Sequence, residues 1–212
     1  MGRGSNSYTA IRRRAVQGTG GRKGKLKPMD VSQFDGMTLQ EIEDRERSLK
    51  HEEMFAIDKD GKVIAAYKGN KNSVAFPASL LSEKGITVTH GHPIGAEGYG
   101  GTLSIQDVLN MAASDWAEHR AAAQGKGEMN YIIRRNAKTT EQNSRDLYAR
   151  IQKDTPALKQ QMLDAANKAG GKLSPARRRQ IYTGVLDRYY AEVLPQYNFE
   201  YIARNKPYRY NR

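Results

Sequence analysis

Between Ile86 and Trp116 the chain passes from a β-branched run, ITVTH (86–90), through a glycine-rich loop into an amphipathic pattern opening at Ser104. A strand and a helix joined this way must each bury one face against a shared core, so the fold cannot be all-α or all-β. The neighbouring signals agree. Thr38-Leu-Gln-Glu41 is a capping box with Ile42, Arg45 and Leu49 behind it at helical spacing, which predicts a helix over about 38–50. MFAID (54–58), a Lys59-Asp-Gly61 turn and KVIAAYK (62–68) read as a hairpin. SVAF (73–76) reads as a short extended piece and MNYIIRR (129–135) as a closing strand. The helix from Ser104 is expected to reach about His119, with Val108, Leu109, Met111, Ala112 and Trp116 on its apolar face. These signals predict an α+β core at 29–136, a mixed sheet with flanking helices.

The remainder is more polar. Hydrophobic residues make up 38% of the chain and mean hydropathy is -0.79, which argues against one core spanning its whole length. Two charged helical patterns, 141–168 and 174–193, predict a helical appendage over 137–195, with Leu147, Ile151, Leu158, Met162 and Ala165 as its seam. Pro195 ends it, and 196–212 reads as a basic tail rich in tyrosine (Tyr197, Tyr201, Tyr208, Tyr210). Residues 1–28 carry eight Lys or Arg and no acid, and read as a Gly/Arg-rich arm that orders against a partner.

A net charge of +12 concentrated in such arms attracts polyanions, so neighbouring protein subunits or non-specific nucleic acid are expected partners. The absence of cysteine excludes disulfides, thiolate metal sites and cysteine nucleophiles. No apolar run is long enough to span a membrane, and the basic start lacks the apolar stretch of a secretory signal.

The chemistry-bearing residues lie where the strand gives way to the helix. His90 and His92, two apart at the end of a strand, point to the same side, and Pro93 stops the strand from running on. Ser104 stands at the helix start with Asp107 in its first turn. Two imidazoles and a carboxylate leave one tetrahedral position open, as in a catalytic rather than a structural zinc site. Of the adjacent acids upstream, Glu52 shares a strand face with Met54, Ala56 and Asp58, and Glu53 takes the other.

This order of an upstream Glu, His-x-His-Pro and Ser-x-x-Asp resembles the signature of the JAMM (MPN, JAB) metallopeptidases. The flanking HEEMFAIDKDGKVIAAYKGNKNSVAFP is similar to the region preceding that motif in bacteriophage and RadC-like JAB domains. The likeness covers about 45–135. It implies zinc held by His90, His92 and Asp107, a glutamate activating water (Glu52, alternatively Glu53), and Ser104 holding the tetrahedral intermediate. It implies a peptidase or isopeptidase acting on a protein in the host cytoplasm or virion. The alternative it allows is a virion structural or packaging protein with the fold as scaffold. The stretch between His92 and Ser104, Pro93 to Leu103, is eleven residues, longer than in the family.

Overall fold

A computed structural model describes residues 11–12, 26–93, 101–124 and 129–205. Helix α1 spans Leu39–Ser48; strands β1 (Glu53–Ile57) and β2 (Val63–Lys68) follow as a hairpin. Then come β3 (Thr87–His92), α2 (Ile105–Ala113), β4 (Glu118–Ala123) and β5 (Met129–Arg135). Two long helices, α3 (Glu141–Lys168) and α4 (Pro175–Val193), precede β6 (Phe199–Asn205). The fold is α+β, with one six-stranded mixed sheet in the order β2-β1-β3-β4-β5-β6.

Its one parallel pair, β3 with β4, is joined through α2. A crossover of this kind starts its helix at the end where the first strand finishes, so the β3 terminus and the α2 N-terminus lie side by side. Strand alternation divides the core. Met54, Ala56, Val88, Ala121, Tyr131 and Ile133 face a large cluster that includes α2, α3 and α4, while Phe55, Ile57 and Val63 face a smaller one with Ile42 and Phe34. On the α1 side, β3 to β5 meet the helix through buried polar groups. Glu43 accepts from Arg120 Nε at 2.6 Å and Asn130 Nδ2 at 3.0 Å, and Glu46 accepts from Thr89 Oγ1 at 2.8 Å.

Several expectations change. The helix from Ser104 ends at Ala113, and 118–123 is the central strand β4; Trp116, fully buried, donates its indole N–H to the Leu80 carbonyl at 2.7 Å. SVAF (73–76) forms no strand, and β5 does not close the sheet, because β6 pairs along its outer edge. Residues 199–205 of the expected tail are therefore sheet. The expected appendage shares the main core through Leu147, Ile151, Leu158, Tyr190, Val193 and Leu194. At about 1.5–3 kcal/mol for each fully buried large side chain, that contribution is comparable to the net stability of a whole domain.

The expected arm is anchored too. Ile11 is buried in the main core, and Arg12 pairs with Asp115 at 2.6 Å and donates to Ala113 O at 3.1 Å. Lys27 and Met29 bond to the backbone of β2. The rest of the arm, with Arg13 and Arg14, and 206–212 with Tyr208 and Tyr210 lie outside the described residues. Among those described, no helix is long and apolar enough to cross a membrane.

Candidate metal centre

His90 and His92 project from the same side of β3 because Gly91, between them, faces α1. The packing there is tight: a Cβ would lie 3.0 Å from the Glu46 carbonyl oxygen and 3.1 Å from Glu46 Cβ. Asp107 is delivered by the first turn of α2 through a capping box in which Ser104 Oγ accepts from Asp107 N at 3.2 Å and Asp107 Oδ2 accepts from Ser104 N at 2.6 Å.

The result is a convergence of three donor atoms. His90 Nε2 and His92 Nε2 are 2.9 Å apart, and Asp107 Oδ2 lies 3.5 Å from the first and 3.8 Å from the second. Tetrahedral ligands at zinc bond lengths of about 2.0–2.1 Å stand roughly 3.3 Å from one another, so the spacing suits one small cation. The group can hold a metal ion. The outer nitrogen of His92 supports this, since Nδ1–H donating to the Gly101 carbonyl at 2.8 Å turns the Nε2 lone pair inward.

Burial works against a charge on His90, but the carboxylate of Asp107 outweighs it, with Glu52 and Glu46 adding, and lifts its pKa to about 9. Burial first and the His90 charge second lower His92 to about 4, and Asp107 is held well below the usual carboxylate range by His90 against its own burial. Without a metal, the Asp107 carboxylate is thus balanced by the charge on His90.

Glu52 precedes β1, two residues before Met54, the partner of His90. Its backbone is pinned by bonds from Glu52 N to Asn70 O at 2.7 Å and from Gly69 N to Glu52 O at 2.8 Å. Its side chain lines the cavity shared with His90, His92, Ser104 and Asp107, of about 320 Å³. Burial raises its pKa to about 7, opposed by His90 and reinforced by Asp107. Glu53 faces α1 and is engaged by Arg45 at 2.8 and 3.1 Å and by His51 Nε2 at 3.1 Å. Ser104 stands on the cavity rim, its hydroxyl oxygen used by the cap and its proton left to donate.

Two contributors were not foreseen. His119, expected at a helix end, sits in β4 with its ring 5.0 Å from His90, and its Nδ1–H donates to the Asp107 carbonyl at 3.1 Å. Burial, then His90, lowers its pKa to about 3, so it stays neutral and ties α2 to the sheet beneath the ligands. The other is α4, which closes over the Gly101 side of the site with Thr183 Oγ1 accepting from Thr102 N at 3.4 Å. Arg179, Tyr182, Thr183 and Leu186 recur at one-face helical spacing, the signal that could have found them. No family model, curated protein or solved structure matches this chain.

Proposed function

We propose that this chain is a zinc-dependent hydrolase of the JAMM type, cleaving a peptide or isopeptide bond in a protein substrate. The convergence of His90 Nε2, His92 Nε2 and Asp107 Oδ2 beside the buried Glu52, at the floor of an open cavity, is the observation that carries the reading. Nitrogen and carboxylate donors without thiolates suit zinc, with room left for a further ligand. When bound, zinc supplies Lewis acidity that polarises a carbonyl and acidifies water.

The chain's own residues do the rest. Glu52, with a pKa raised to about 7, is matched to take a proton from the attacking water near neutral pH and to pass it to the leaving nitrogen. The Ser104 hydroxyl, at the rim, donates to the oxygen on which negative charge develops. His92 is held in one tautomer by Gly101, and Asp107 is held in place by Ser104 and His119, so little reorganisation is needed.

The test is metal analysis of chain purified without chelator, together with cleavage of a mixed peptide library followed by mass spectrometry. About one zinc per chain is expected, with cleavage abolished by a chelator and restored by zinc. Failure of the chain to bind zinc above background would end the catalytic reading.

A further inference from the structure

Beyond the ligands, the walls of the cleft over the metal centre are mixed. Met54, Val74 and Phe76 supply apolar surface, while Ser73, Gln106, Asn110 and His119 supply polar groups. Two of these polar residues bond to protein neighbours. Ser73 Oγ accepts from Asn70 Nδ2 at 3.0 Å, and Gln106 Nε2 donates to Asn110 Oδ1 at 2.9 Å. Asn110 and His119 are the deep ones, each only 2% exposed.

Each of those two residues has one polar atom left over. Asn110 Oδ1 is taken by Gln106, and its Nδ2 has no hydrogen-bond partner among the described residues. His119 donates from Nδ1–H to the Asp107 carbonyl at 3.1 Å, which leaves the Nε2 lone pair as an acceptor, likewise without a partner among them. The ring is fixed between those of His90 and Trp116, with centroids 5.0 and 5.1 Å away. A helical carbonyl points along the axis toward the residues three and four further on. The ring docked on the Asp107 carbonyl therefore lies beside Asn110, one turn along α2. Buried polar groups are ordinarily paired, so a donor and an acceptor presented together at a cavity wall mark a place where one ligand group can supply both bonds.

We propose that this part of the cleft is a carboxamide subsite. It receives the side chain of a Gln or Asn of the substrate, whose C=O accepts from Asn110 Nδ2 and whose N–H donates to His119 Nε2, with the stem against Met54, Val74 and Phe76. Other side chains match less well. A carboxylate meets the His119 lone pair, an ammonium meets the Asn110 donor, and an apolar group leaves both unpaired. A hydroxyl has a single atom for both bonds. The inference rests on the hydrolase reading for where this residue falls relative to the cleaved bond, but the recognition itself does not require turnover. Satisfying a buried donor and acceptor together favours the carboxamide by about tenfold in affinity.

The experiment uses the zinc-loaded full chain carrying Glu52→Gln, so that cleavage cannot deplete the probe. Fluorescein-labelled octapeptides of Ala and Gly, with a single Gln or Asn scanned along them, are titrated by fluorescence polarisation beside matching Glu, Lys, Met and Thr series. A carboxamide at one position should bind about tenfold tighter than any of the other four side chains there. Asn110→Leu, and Asn110→Asp, which keeps the acceptor for Gln106, should each erase that preference with zinc content unchanged. No carboxamide preference at any position, no binding of any peptide, or a preference that survives either substitution overturns the subsite. A wild-type chain that selects the carboxamide with zinc bound yet cleaves no peptide would instead overturn the hydrolase reading and leave the subsite standing.

Discussion

Replacing Glu52 by Gln should make the metal-free protein more stable while removing its activity. The carboxyl is 8% exposed, and burial moves its pKa from an ordinary 4.5 to about 7. The folded state therefore holds a proton that the unfolded chain releases between those values. The neutral carboxyl is tolerated below pH 4.5, and stability is lost as pH rises through 7, by about 3 kcal/mol in all. Gln has the same shape and no charge to desolvate, so the variant should match the wild type at pH 4 and exceed it by up to about 3 kcal/mol at pH 8. Urea unfolding in excess chelator across that range reads the difference directly. With zinc restored, the same variant should keep its metal and lose about 10²–10⁴ in rate, the usual worth of a positioned base. Stability curves that run parallel at all pH values would refute the burial argument. Full activity in the variant would remove Glu52 from the mechanism, and Glu53→Gln should cost stability instead, by freeing Arg45.

Other outcomes follow from single contacts. His92→Ala should remove most of the bound zinc, read by metal analysis after dialysis, and retention of a full equivalent would exclude His92 as a ligand. Gly91→Ala should destabilise by about 1–3 kcal/mol because its Cβ meets the α1 backbone at 3.0 Å; an unchanged melting temperature would show that α1 yields. Tyr190→Phe should stabilise by about 1 kcal/mol, since its buried hydroxyl has no hydrogen-bond partner among the described residues, and a loss of stability in calorimetry would mean a partner exists. Ile11→Ala should cost about 2–4 kcal/mol in urea unfolding; a loss near zero would return this residue to a free arm.

The elements legible in the sequence were those whose local signals coincide with their final environment. The Thr38 and Ser104 capping boxes mark the starts of α1 and α2, and the Lys59-Asp-Gly61 turn marks the hairpin. The ligand spacing was legible because strand alternation and a helix first turn are local geometry. What escaped was set by distant partners. Glu118–Ala123, EHRAAA, has helical propensity and no alternation, yet it lies between β3 and β5, where both faces are buried. Phe199–Asn205 looked like a basic tail because an edge strand needs only one good partner, here β5. Ile11 stands before three arginines in a segment without a regular apolar repeat, and periodicity cannot flag one residue.

Tyr201 links β6 to the site: its hydroxyl lies 2.7 Å from Thr102 Oγ1 and 2.5 Å from Asp187 Oδ1 of α4. This clamp bears on the order in which the protein is made. All three candidate ligands have been synthesised by Asp107, but the wall bearing Arg179 and the strand that locks it emerge later, by roughly 5–20 s at ribosomal speeds. During that interval a nascent chain would carry the ligand residues without the cleft wall, with the apolar residues of α2 and β3 lacking cover from α3 and α4. A site whose candidate ligands are made early is thus walled in by residues made late.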